Sequence, residues 1–351
     1  MKKRALEMIK IGSIYAGAVL GAGFASGQEL MLFFVRYGVR GLWGAAAAGL
    51  LFAVFGIMIL SRSHELHAKG YQQYFSAIFG KRISAILCLV VEVFLAISFV
   101  VMISGSGALF LERFSVSPVW GILITLLLCY WVFRNDLTGL SVINFILTPL
   151  MVVGITVTSV YYLLTQDTSV WASLGTMGGY FMVSAVTYVS YNMLTASAVL
   201  VPVGKIAADR RTAAAGGAIG GLALLLVVLL SCFALYFAQD KIVGAELPLL
   251  MLSQELGSAM YFLYSLVLYM AMITTAVATG FSIVERFAQR GVRKRTATFW
   301  VCLFTLPLSF IQFSSLVKAC YSFFGYLGLL LLCGITYDYI KSKIGAKRRK
   351  T

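Results

Sequence analysis

Apolar residues fall in long stretches from one end of the chain to the other, separated by short polar and basic segments. Stretches of about 20 residues are long enough, as helices, to cross a hydrocarbon layer of about 30 Å. Their limits predict ten spans, at 8–35, 41–60, 83–110, 117–133, 140–165, 174–201, 214–238, 258–285, 297–313 and 315–339. The first span is unlike the rest. Its apolar arm from Ile9 to Leu20 and its second run from Leu30 to Val35 are divided by Gly21-Ala22-Gly23-Phe24-Ala25-Ser26-Gly27. Glycine costs about 1 kcal/mol against alanine inside a helix, so three glycines in seven residues predict a break at mid-span. Irregular backbone at that depth persists only where it faces protein or a water-filled cavity, because lipid offers no hydrogen bonds. A broken first helix is thus a candidate binding site and points to a carrier of solutes.

Ten spans divide into two sets of five, roughly 8–165 and 174–339. An odd number per set makes the second enter from the opposite side, the inverted-repeat arrangement of many secondary transporters. The symmetry predicts a second break in the sixth span, which carries Ser184, Thr187, Tyr188, Ser190, Tyr191, Asn192 and Thr195, with Ser190-Tyr191-Asn192 just past its centre. The two sets share no letter-by-letter repeat, so this support is positional.

Composition agrees with the pattern. The chain is 60% hydrophobic and 12% charged, whereas soluble domains sit near 25% charged. No long polar segment remains for a soluble domain, so residues 1–351 read as one all-α polytopic membrane domain. The net charge of +15 suggests nucleic acid until its placement is considered. Lys2, Lys3, Arg4, Lys10, Arg62, Lys69, Lys81, Arg82, Arg134, Lys205, Arg210, Arg211, the Arg286–Arg295 cluster and the basic C-terminal run all fall on the side of the termini, against Arg36, Arg40, Arg113 and Lys241 opposite. That asymmetry predicts both termini in the cytoplasm, with some attraction to anionic lipid and no nucleic-acid partner. The opening Met1-Lys2-Lys3-Arg4, an apolar run and small residues imitate a signal peptide, but other spans follow so closely that the segment reads as the first of them.

The chemistry-bearing residues are few. Six cysteines lie in or at the ends of apolar runs without metal-type spacing, and His64 and His67 stand three apart with no further ligands nearby. There is no nucleophile elbow, phosphate loop or paired catalytic carboxylate, so an enzyme is not expected and no cofactor is implied. Gly21, Ala22, Gly23, Phe24 and Ala25, with Ser190, Tyr191 and Asn192, are the candidate solute-binding residues. The amides of Gly23, Phe24 and Ala25 would open the second half-helix and suit a carboxylate. The competing reading is close helix packing, since Gly17/Gly21 and Gly23/Gly27 fit the GxxxG spacing, with Asn192 and its neighbours bonding between helices. Glu29, Glu92 and Lys318 lie inside spans and should face the bundle interior or water. Glu29 is a candidate for cation pairing or gating, or alternatively a mouth residue bonding loop amides. Glu92 is a candidate for coupling, or a structural partner of Asn144 or Lys318. Tyr71 to Ser76 predicts a short interfacial helix, and the 239–257 loop predicts a helix that either lies over the external mouth as a lid or rests on the bilayer.

Ile11-Gly12-Ser13-Ile14-Tyr15-Ala16-Gly17 through Gly27-Gln28-Glu29, with Tyr188-Val189-Ser190-Tyr191-Asn192, resembles the LeuT-fold, or amino acid–polyamine–organocation, superfamily, and more closely its YkvI-type bacterial membrane proteins. The resemblance covers essentially the whole chain. It implies a five-plus-five inverted repeat holding a solute between broken first and sixth helices. Sodium-coupled members bind the ion between first-helix carbonyls and an Ala-x-x-Thr-Ser/Thr stretch of the eighth, which matches Ala271-Met272-Ile273-Thr274-Thr275 here. The resemblance then puts sodium on Gly17, Leu20, Ala271, Thr274 and Thr275; the other reading is that both threonines bond back to their own helix. The fifth span has no lysine, the residue that proton-coupled relatives place near this space. Phe24 stands where neurotransmitter-type symporters have an asparagine ligand, and Gly27 where they have a gating arginine, so that second ion site and gate are not expected. The expectation is a sodium-coupled symporter of an amino-acid-like solute in the bacterial cytoplasmic membrane, with a proton-coupled carrier or a non-transporting receptor as alternatives.

Overall fold

The computed structural model describes residues 2–135, 140–165 and 179–348, and no strand occurs among them. The first apolar stretch is broken twice. Helix α1 (Lys2–Val19) ends where Leu20 N–H bonds Ala16 O at 2.8 Å and Gly21 turns to extended backbone. A five-residue helix α2 (Ala22–Ser26) follows, and Gly27, at φ 87°, both closes it and starts α3 (Gln28–Phe33). That left-handed backbone strains any residue with a Cβ, which accounts for the glycine. The predicted interruption is therefore present, with its two corners at Gly21 and Gly27.

The sixth apolar stretch corrects the expectation. Helix α8 (Phe181–Ile206) runs unbroken through Ser190-Tyr191-Asn192, and residues 174–178 of the predicted span lie outside the described residues. Its polar side chains are satisfied without opening the helix. Thr187, Asn192, Thr195 and Ser197 bond back to carbonyls three or four residues earlier, as such side chains do in helices. Ser184 and Ser190 reach the carbonyls of Phe33 and Gly325 at 2.7 and 2.6 Å. No glycine occurs before Gly204, and Pro202 stands in the last turns, so nothing at mid-helix favours a break.

The remaining helices are α4 (Val39–Leu66), α5 (Tyr71–Phe114), α6 (Pro118–Asn135), α7 (Leu140–Thr165), α9 (Arg210–Phe237), α10 (Pro248–Ser253), α11 (Ser258–Gln289), α12 (Lys294–Leu308), α13 (Phe313–Leu316) and α14 (Ser322–Arg348). Eight helices among the described residues are long and apolar enough to cross a membrane. The divided first stretch is not among them, nor is α12, whose 15 residues span about 22 Å. Gly80, at φ 74°, sets the Tyr71 end of α5 apart as the short helix foreseen there. A π-turn over Val317–Tyr321 joins α13 to α14.

Packing gathers the helices into two groups. α1, α4, α8 and α9 lie against one another, while α5, α6, α11 and α12 form a second group; α7 bridges α9 to α11, and α14 bridges α8 to α5. The first group is closed by small residues. A Cβ on Gly217 would stand 2.5 Å from the Gly56 carbonyl carbon, and one on Gly221 would overlap Ala53 backbone. Such close approach drives helix association where lipid and side chains are equally apolar.

Ion pairs concentrate at one end of this assembly. Arg62 grips Asp338 at 2.5 and 3.1 Å and also meets Glu65, Arg210 pairs with Glu65, and Arg4 with Asp209. Asp209 also caps α9 by accepting from Thr212 N–H at 2.7 Å, and that bond holds its carboxyl below the usual range. Residues near both chain ends therefore meet at the basic end.

Candidate functional site

The two corners of the first span lie deep in the assembly. Ala22 through Ser26 are buried, and only Gly21 is partly accessible, with no atom within 4 Å of the place a Cβ would take. Open space therefore adjoins the break at Gly21. The first intrahelical bond of α2 is Ala25 N–H to Gly21 O at 3.0 Å. The amides free of backbone acceptors are thus those of Ala22, Gly23 and Phe24, one residue earlier than expected, because the break begins at Gly21. Phe24 is fully buried.

Glu29 turns back from the second residue of α3 towards α2. Its Oε1 lies over Gly23, where a Cβ would overlap it, and its Oε2 accepts from the Tyr191 hydroxyl of α8. Glu29 is 5% exposed. Tyr191 is ringed by Tyr321 at 5.1 Å, Phe33 and Tyr188 at 5.6 Å, and Phe94 at 6.0 Å. Phe94 and Tyr321 belong to α5 and the π-turn, so the cage is drawn from both helix groups. The sequence brought out Glu29 and Tyr191; Phe94 and Tyr321, as aromatics in apolar runs, carry no local signal of their position. Ser190 and Asn192 are committed to the Gly325 and Tyr188 carbonyls, which is the interhelical and back-bonding reading of those residues.

Glu92 pairs with Arg286 near the end of α11. This corrects the expected partnership with Lys318; Asn144, the other expected partner, has its side chain outside the described residues. The arginine lies 194 positions away in the chain, so only the tertiary fold could reveal it. Lys318 is exposed on the π-turn, as the fourth residue of the last predicted span, rather than directed inward. Its stem is long enough to carry the ammonium to an interface.

The residues assigned to sodium by resemblance are placed as follows. Thr274 is buried and donates to Ala271 O at 3.1 Å, while the Thr275 carbonyl accepts from Thr279 at 2.8 Å. Leu20 is buried, and Gly17 faces the Thr148 side chain of α7. Helix α11 meets the first span at α2, where the Tyr264 hydroxyl donates to Ala25 O at 2.7 Å.

Away from the Arg62–Asp338 end, the 239–257 loop, itself tied by Lys241 to Glu255 at 3.2 Å, packs on the helices. Leu249, Leu250 and Leu252 of α10 are buried, and α10 packs on α2, α7 and α11. The helix thus packs on the protein, the arrangement that the lid reading of this loop calls for. Its fastening was not foreseen: Gln28 donates to Ala245 O at 2.7 Å, Glu112 accepts from the Glu246 and Leu247 amides, and Glu246 accepts from Ser314 N–H and hydroxyl at 2.7 and 2.9 Å. A cavity of about 410 Å³ between this loop and α3 is lined by Gln28, Met31, Arg36, Gln239, Ala245 and Ser314 among others. A second, apolar one of about 220 Å³ lies between α7 and α11.

No family model matches the chain. It is 26% identical over 325 residues to the uncharacterized membrane protein YkvI of Bacillus subtilis, covering 92% of this chain and 93% of that one. Its fold is similar to the inward-facing conformation of Mhp1, with TM-score 0.66 at 15% identity over 92% of this chain and 73% of that one. It is also similar to MhsT in complex with L-phenylalanine, with TM-score 0.63 at 16% identity, covering 92% and 86% of the two chains.

Proposed function

Starting from a membrane protein of the LeuT fold related to YkvI, we propose a secondary active carrier of a small, amino-acid-like solute, working by alternating access. One observation carries the reading. The first span is interrupted in the interior, and beside the break sit free amides, a buried carboxylate and aromatic rings supplied by both helix groups. The group of α1, α4, α8 and α9 contains the first, second, sixth and seventh expected spans, the set that rocks as a bundle in this mechanism. Structures of similar fold include a Na⁺-coupled sialic acid symporter and a manganese transporter, and neither solute is transferred to this chain. By the positive-inside rule the basic end faces the cytoplasm and the lid faces outward, in the plasma membrane of a bacterium. Five-plus-five inverted symmetry accompanies this reading.

Sodium on Gly17, Leu20, Ala271, Thr274 and Thr275 is the coupling ion of the proposal. Two hydroxyls and three carbonyls supply five oxygens, suited to a hard cation. Linkage then requires that solute and ion tighten each other's binding by the same factor. Uptake of an L-amino-acid panel into proteoliposomes is expected to saturate and to rise with an inward sodium gradient. Thr274→Val is expected to weaken the sodium dependence at least tenfold, about 1.4 kcal/mol. Uptake indifferent to sodium and driven by protons alone would assign the coupling to protons instead. Binding without flux would make the protein a receptor.

A further inference from the structure

We propose that Glu29 is the counter-ion for a cationic amine on the solute, and that the Tyr191 hydroxyl occupies the amine's place when no solute is bound. The inference rests on the carrier reading and names the chemistry of its substrate.

A carboxylate offers about four acceptor sites. Glu29 uses one of them, for Tyr191, and no cationic side chain among the described residues pairs with it. The titratable groups that face it are Tyr188, Tyr191 and Tyr321, all tyrosines. Aromatic rings pack around Tyr191, its hydrogen-bond donor. They add nothing to a bare carboxylate and attract an ammonium group. Burial, a single hydrogen bond and aromatic walls together describe a site made for positive charge.

An inorganic ion fits it poorly. A hard cation takes about five or more oxygen ligands, whereas the side chains packed around Tyr191 are rings, which offer few oxygens. An ammonium needs less, since one carboxylate oxygen and ring faces suffice. Placement adds a second point. Glu29 Oε1 lies directly over Gly23, one of the residues whose amide is free at the start of α2. A solute bearing both ammonium and carboxylate meets opposite charge at both ends. The cage also joins Tyr188 and Tyr191 of α8, with Phe33 of α3, to Phe94 of α5 and Tyr321 of the π-turn, so an amine bound there touches both helix groups.

The test is thermal unfolding of the purified full chain in detergent, with primary alkylamines from ethyl to hexyl beside the matched carboxylates and alcohols. Members of the amine series are expected to raise the melting temperature saturably, and the matched alcohols are not. Glu29→Gln is expected to weaken amine binding at least about tenfold. Tyr191→Phe, which removes the competing hydroxyl, is expected to bind amines several-fold more tightly than the parent. Phe94→Leu removes one wall and is expected to weaken binding several-fold, so a poorly folding Glu29 variant does not end the test. No stabilisation by any amine, or undiminished binding to both Glu29→Gln and Phe94→Leu, overturns the proposal. Amine binding without flux in liposomes would remove the carrier reading and leave this inference standing. Flux that ignores both substitutions would remove the inference and leave the carrier.

Discussion

Gly27→Val is expected to abolish transport while leaving the helical content of the protein intact. Gly27 sits at φ 87°, between α2 and α3. That region costs an L-residue about 1–2 kcal/mol, and a β-branched side chain is worse placed still. The added Cβ would also stand 2.9 Å from Leu249 N and 3.0 Å from its Cγ, at the start of the lid helix. Backbone cannot yield as a flexible side chain does, so either α10 lifts or the corner opens. Either change loosens the first span from the lid, to which Gln28 also ties it through Ala245 O. Circular dichroism and solute uptake on the same preparation check this. Parental uptake by the variant would show that the corner has no part in gating.

Gly221→Val is expected to fail earlier, at folding. Its Cβ would overlap the backbone of Ala53 on α4, in the most extensive helix–helix contact among the described residues. Overpacking costs about 1–3 kcal/mol where side chains can adjust. Here the opposing atoms are main chain, so about 3 kcal/mol or more is expected, a large part of the stability of an ordinary protein. The readout is the yield of monodisperse protein and the melting temperature of what survives. A variant as stable as the parent would mean that α4 and α9 lie farther apart than described.

These two glycines mark what the sequence made visible and what it concealed. The break in the first span was legible because three glycines interrupt an apolar run, a local signal with a local cause. Its free amides were displaced by one residue, since the pattern does not say where the first bond of α2 will close. The continuous α8 was misread for a physical reason. A dense polar cluster in an apolar helix signals either a break or a set of back-bonds, and only the neighbouring helices decide. Ser184, Ser190 and Tyr191 found their acceptors on α3 and the last helix, at separations of 135 to 162 residues. The Glu92–Arg286 pair and the Glu112–Glu246–Ser314 fastening are also products of tertiary approach. Phe94 and Tyr321 were hidden by their ordinariness, because an aromatic ring in an apolar span is usually only core.

The central claim is that one helix group moves against the other, opening the two ends in turn, and it can be tested without knowing the solute. Spin labels at Tyr180 and Phe114 report the lid end, and labels at Ile206 and Ile344 the basic end; all four positions are exposed. Each pair joins α8 or its entry to the second group or α14. Pulsed dipolar measurements in lipid are expected to give two distance populations for each pair, with ions or solute shifting them in opposite senses at the two ends. A single unchanging distance at both ends under every ion and solute condition would contradict alternating access.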